Sequence, residues 1–199
     1  VSQEEVGVGG TVQLVISADG AGYTGGPGTV INGVPISTSR VSLTEETPGL
    51  YVLNYQVGKD DDDVAPGELK ASVVMTDSAG NNSAAYTTIV DNELEIYTDL
   101  PGATLAGPPE VCEGEPAQLT VFLSGRAPWG FDLNDGTGVT SYKFIDQSQY
   151  KIPVTLAQTT TFSIDSVWDR NGVVNTGSGS IELIVNEKAD LQIMNIAPG

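Results

Sequence analysis

Four consecutive carboxylates, Asp60-Asp61-Asp62-Asp63, form the sharpest chemical feature of this chain. Side by side they repel one another, and a hard cation that takes oxygen ligands, calcium above all, would relieve that repulsion. Glu68 and the triplet Asp91-Asn92-Glu93 supply further oxygens, so the candidate metal set is Asp60, Asp61, Asp63, Glu68, Asp91 and Glu93. No complete ligand motif of the EF-hand kind accompanies them, and the competing reading is a solvated loop kept soluble by its charge. A second oxygen-rich run, Asp77 to Asn82, reads first as a turn, because Asp and Asn side chains bond their own backbone and Gly80-Asn81 suits positive φ. Were a metal bound there, Glu4 and Glu5 would be its partners.

Other chemistry is thinly represented. The chain has no histidine, which removes the side chain most used for general acid/base work, for Ser or Cys triads and for zinc ligation. Cys112 is the single cysteine; it lacks an imidazole to activate it and a second thiol to pair with. Paired carboxylates for glycoside cleavage are available by residue type, but no spacing singles out a pair. The expectation is a protein that is not an enzyme. Two aromatics stand out as ligand platforms: Trp168, beside Asp169-Arg170-Asn171 at a hairpin end, and Tyr23, in a Gly-rich loop. For both, a sugar-stacking role competes with ordinary edge packing. Trp129 alternates with Phe131 and Leu133 on one strand face and reads as core.

With 26 acidic and 8 basic residues the net charge is −18. Such a surface repels phosphate backbones, so nucleic acid is not an expected partner. No apolar run reaches the ~18 residues of a membrane span, and no charged-then-apolar leader opens the chain, so the sequence reads as a soluble piece of something longer.

The elements that must position these groups are strands. At 199 residues with 39% hydrophobic content, 24 Gly and 11 Pro, the composition suits two small domains built of strands and turns. In the first, Thr11 to Ser17, Thr29 to Ile31, Arg40 to Glu46, Leu50 to Val57, Glu68 to Thr76 and Ala84 to Val90 read as strands, with Asn32-Gly33 turning the chain toward Val34. In the second, the strands are Glu115 to Leu123, Trp129 to Leu133, Val139 to Phe144, Tyr150 to Leu156, Thr160 to Val167 and Ser180 to Val185. The prediction is all-β, with two tandem immunoglobulin-like β-sandwiches: residues 1–93, a linker at 94–102, residues 103–186, and a tail at 187–199. That tail carries one more apolar alternation at Leu191, Ile193 and Ile196, suited to a further repeat or a sheet edge. In this topology Asp60 to Asp63 fall at the same pole as Asp91 to Glu93, where calcium would stiffen the junction between domains.

The chain resembles the tandem Ig-like repeats of very large surface proteins of Bacteroidetes-type bacteria, including gliding-motility adhesins and other cargo of the type IX secretion system. In the first half the resemblance rests on Gly9-Gly10-Thr11-Val12, Pro48-Gly49-Leu50-Tyr51 and Pro66-Gly67-Glu68-Leu69. In the second it rests on Val111-Cys112-Glu113-Gly114-Glu115, Ala127-Pro128-Trp129 and Tyr150-Lys151-Ile152-Pro153-Val154. It covers nearly the whole chain. Repeats like the second usually pair the early cysteine with another after a late Asn-Gly turn; here Asn171-Gly172 is followed by Val173, which leaves Cys112 free. The resemblance implies a secreted, non-catalytic segment of a cell-surface adhesin, flanked by neighbouring repeats and binding a surface glycan or protein. The alternative is a carbohydrate-binding accessory region of an exported glycan-degrading enzyme.

Overall fold

A computed structural model describes residues 4–188. It divides into two compact units, the first ending at Leu100 and the second beginning at Pro101. Both are all-β. The first unit holds β1 (Glu5–Val6), β2 (Thr11–Ser17), β3 (Thr24–Gly25), β4 (Val30–Ile31), β5 (Val34–Pro35), β6 (Val41–Thr47), β7 (Leu50–Gln56), β8 (Ala71–Ser72), β9 (Met75–Thr76) and β10 (Glu95–Ile96). The second holds β11 (Gly102–Ala106), β12 (Glu110–Cys112), β13 (Pro116–Ser124), β14 (Trp129–Asn134), β15 (Val139–Ile145), β16 (Gln149–Thr155), β17 (Thr160–Trp168), β18 (Val174–Thr176) and β19 (Ser180–Asn186).

In the first unit the sheet β2-β7-β6 forms one layer, and the short ladders β5-β4-β8 and β3-β9 form the other. Period-two alternation explains the first layer: along β7, Tyr51, Leu53 and Tyr55 are fully buried while the residues between them are not. Leu53 and Tyr55 close with Val12, Ile31, Val34, Val41, Val73 and Ile96 into one apolar core. β1 pairs with β10 in parallel, Glu5 against Glu95 and Val6 against Ile96.

The second unit is the more regular sandwich. Sheet β11-β13-β16 faces sheet β12-β19-β17-β14-β15, with β18 added to β17, and the two enclose Leu119, Val121, Phe131, Leu133, Ile152, Phe162, Ile164, Val167 and Leu183. Phe131, Tyr142 and Tyr150 form an aromatic cluster, Phe131 stacked on Tyr142 at 4.9 Å and Tyr150 edge-on to both. β18 and β19 amount to one strand broken at Gly177. There the backbone passes so close to Ile164 that a Cβ on Gly177 would overlap the Ile164 carbonyl oxygen. The break lets Ser178 leave β17 and bond the Ala103 carbonyl on the opposite sheet, at 3.1 Å from its N–H, so the two layers are joined at this edge.

Three expectations are corrected. Residues 94–102, read as a linker, contain β10 and the start of β11, and Ile96 and Tyr97 are buried: pairing with β1 draws them into the first unit. Residues 84–90 form no strand. They touch the fold through a bridge from Tyr86 to Val73, and only Ile89 packs on the core, because the run offers no repeated apolar face. The reading of residues 68–76 as one strand gives way to two short ones, β8 and β9. The alternation at Leu191, Ile193 and Ile196 lies outside the described residues.

Candidate functional site

The acidic loop follows β7 and is pinned from inside by Asp61. Its carboxylate accepts hydrogen bonds from both Arg40 terminal nitrogens, one of them at 2.8 Å, from the Tyr55 hydroxyl at 2.7 Å and from the Gly58 N–H at 2.6 Å. The Asp61 side chain is 8% exposed and that of Arg40 34%. Burial alone would raise the Asp61 pKa, but the Arg40 guanidinium and the Tyr55 and Gly58 donors win and hold it at about 2. Tyr55 is pushed the other way, to about 12, by burial first and by its bond to Asp61 second.

The other acids point to separate partners. Asp60 pairs with Lys59 in solvent, 2.8 Å apart. Asp63 accepts from the N–H and the hydroxyl of Thr98, both at 2.7 Å, which ties the loop to the segment after β10. Glu68, Asp91 and Glu93 are exposed, and Asp91 adopts a left-handed conformation with φ of 56°. Among the described residues no three carboxylates or thiols gather closely enough to hold a metal. The carboxylate at the centre of the proposed calcium set is already neutralised by an arginine, so the donor set as folded does not fit the ion. Millimolar calcium is therefore expected to leave the melting temperature unchanged; a rise of about 3 °C or more would show that the loop rearranges around it.

The second oxygen-rich run folds as the turn its residues suggest. Asp77 accepts from the N–H groups of Ala79 (2.9 Å) and Asn81 (2.8 Å) and from the Asn81 side chain (3.0 Å), and the Asn81 bonds lower its pKa. Tyr23 is also locally tied. Its hydroxyl donates to Asp19 at 3.0 Å, its N–H bonds the Tyr51 hydroxyl, and its ring stacks on Tyr51 at 6.2 Å, so it anchors the Gly-rich loop over the sandwich. Cys112 is free and exposed on β12.

Trp168 stands at the end of β17, directly opposite Gly130 of β14. Because position 130 has no side chain, the indole lies flat on its backbone: a Cβ there would overlap the ring. Trp168 is thus half-buried from beneath. In the next row of the same sheet, Asp132 stands between Ser141 and Ser166, whose hydroxyls donate to its two carboxylate oxygens at 2.5 and 2.7 Å. Those two bonds, Ser141 first, lower its pKa and fix its orientation. On the outer strand β15 a bulge sets Lys143 and Phe144 together against Gly130, since Trp129 pairs with Ile145 and Phe131 with Tyr142. Phe144 is 85% exposed and has φ of +58°, a conformation that costs a bulky residue on the order of 1–3 kcal/mol. Trp129 packs inward as core, with its Nε1 unpartnered among the described residues.

Sequence reasoning marked Trp168 and missed Gly130, Asp132 and Phe144. Gly130 and Asp132 lie more than thirty residues from Trp168, and only strand pairing unites them. A glycine between Trp129 and Phe131, inside a strand, was the one local signal, because such a glycine marks a close approach.

No protein-family model matches the chain. No curated protein matches it either. Among solved structures, a chain from work on the host cell surface retention of a 1.5-MDa bacterial ice-binding adhesin is similar with a TM-score of 0.45 and 18% identity, over 94% of this chain and 62% of that one. The present chain therefore spans less than two thirds of that chain's length.

Proposed function

We propose that this chain is a non-catalytic segment of a secreted cell-surface adhesin, in which two Ig-like units space and present a binding face. The observation that carries the reading is the pair of successive β-sandwiches, each closed on its own apolar core. Such units bury their chemistry in packing and leave faces and loops for recognition. The sequence supports the same reading, since a chain without histidine and with one unpartnered thiol is poorly equipped for turnover. Its resemblance to Ig-like surface repeats of Bacteroidetes-type bacteria adds the compartment, and gliding motility and type IX secretion are the setting it suggests.

The test is placement on the cell. Antibodies raised against the purified chain are expected to label intact, unpermeabilised cells of the source organism, and external protease to remove the signal. Labelling that appears only after lysis would refute the reading. The accessory region of an exported glycan-degrading enzyme is the second reading, favoured by the flat Trp168 platform, and it differs in placing a catalytic domain on the same polypeptide.

A further inference from the structure

We propose that the outer face of sheet β12-β19-β17-β14-β15 carries a subsite for an uncharged oligosaccharide, with Trp168 and Phe144 as stacking surfaces and Asp132 as the hydroxyl acceptor. This rests on the reading of the chain as a binding module.

Three features converge on one row of the sheet. Val174 on β18, Trp168 on β17, Gly130 on β14 and the Phe144 bulge on β15 are successive cross-strand neighbours. Three strand spacings make that row about 14 Å long, room for two or three pyranose rings. Val174 is 62% exposed and Phe144 85%, so both ends of the row meet solvent. Trp168 lies flat because Gly130 gives it nothing to lean on but backbone, and a flat indole is the shape that the C–H-lined face of a pyranose covers. Phe144 is held in a left-handed conformation in which nearly all of its ring area faces water. Neither packing nor backbone preference accounts for a phenylalanine there, and strain of that kind is retained where a side chain has a task.

The polar row beside the stripe supplies direction. Each Asp132 oxygen receives one serine hydroxyl and keeps a lone pair, and the serine oxygens are acceptors in turn. Acceptors held rigid beside an aromatic surface suit a ligand rich in hydroxyl donors. The charge narrows the class: with a net charge of −18, anionic glycans are repelled at encounter. Lys143 on the bulge offsets part of the Asp132 charge at the site itself, and whether a cationic ligand competes is read directly by the peptide arm of the test.

The experiment uses the whole chain and a panel of uncharged trisaccharides built from glucose, xylose, mannose and N-acetylglucosamine, followed by calorimetry and tryptophan fluorescence. At least one is expected to bind and to shift the emission. Trp168→Ala is expected to weaken binding by tenfold or more. Phe144→Gly separates recognition from structure, because it relieves the left-handed strain: it is expected to raise the melting temperature while weakening binding severalfold. Failure of every trisaccharide to bind, binding that Trp168→Ala leaves within twofold, or tighter binding to an arginine-rich peptide than to any sugar would each overturn the proposal. None of these outcomes bears on surface labelling, so the adhesin reading stands or falls separately.

Discussion

Replacing Gly177 by alanine is expected to destabilise the second unit by about 3 kcal/mol, a fall of roughly 12–24 °C in its melting temperature. The added methyl group would overlap the Ile164 carbonyl oxygen and the Ile164 side chain, and Ile164 is only 4% exposed within the core. Backbone cannot step aside as a flexible side chain can. Either β17 shifts and loosens Phe162 and Val167 beside it, or the strand break moves and Ser178 gives up the Ala103 carbonyl. Gly138→Ala is the control. That glycine has open space around it, so the change is expected to stay within about 0.5 kcal/mol. Thermal melts followed by circular dichroism decide the matter, and equal effects at both positions would mean that the close approach at Gly177 is not a constraint.

Arg40→Ala is expected to cost about 2 kcal/mol in the first unit, seen as a drop of roughly 8–16 °C. Removing the guanidinium leaves the buried Asp61 carboxylate with only the Tyr55 and Gly58 donors. A fully buried pair would cost more; the one-third exposure of Arg40 tempers the effect. Lys59→Ala, which breaks the exposed pair with Asp60, is expected to change stability by under about 0.5 kcal/mol. The same cluster sets a pH dependence. Asp61 titrates at about 2 in the fold against 3.8 for the free carboxyl, so its contribution is complete above pH 3.8 and disappears as pH falls through 2. The shift corresponds to about 2 kcal/mol, and the stability gap between the parent chain and Asp61→Asn should narrow over that window. A gap that persists at the acid end would show that the carboxylate's charge is not what holds the loop.

Where a strand buries one face, alternation alone located it. Thr11 to Ser17 coincides with β2, and the reading of Leu50 to Val57 runs one residue past β7, because Val12, Leu53 and Tyr55 announce a half-buried surface. Short pieces were illegible for the opposite reason. β10, β11 and β12 have two to five residues, sit among prolines and glycines, and are defined by partners far along the chain. The acidic loop shows the same limit in chemistry. Four aspartates in a row announce charge, yet their arrangement turns on Arg40, twenty-one residues earlier, whose proximity depends on the course of β6 and β7. Local composition can nominate ligands, but a long-range cation decides which of them are free.

The parallel pairing of an early strand with a late one recurs in both units, β1 with β10 and β12 with β19. In the first unit, tension drawn through β1 and β10 runs along their ladder rather than across it, so the bonds of that pair are loaded together; in the second, β11 and its ladder to β13 come before β12. Rupture is then governed by the barrier to shearing the whole patch, a kinetic quantity that equilibrium melting does not report. The brief contacts that close each sandwich, rather than its long inner ladders, would then set how much pull a unit bears.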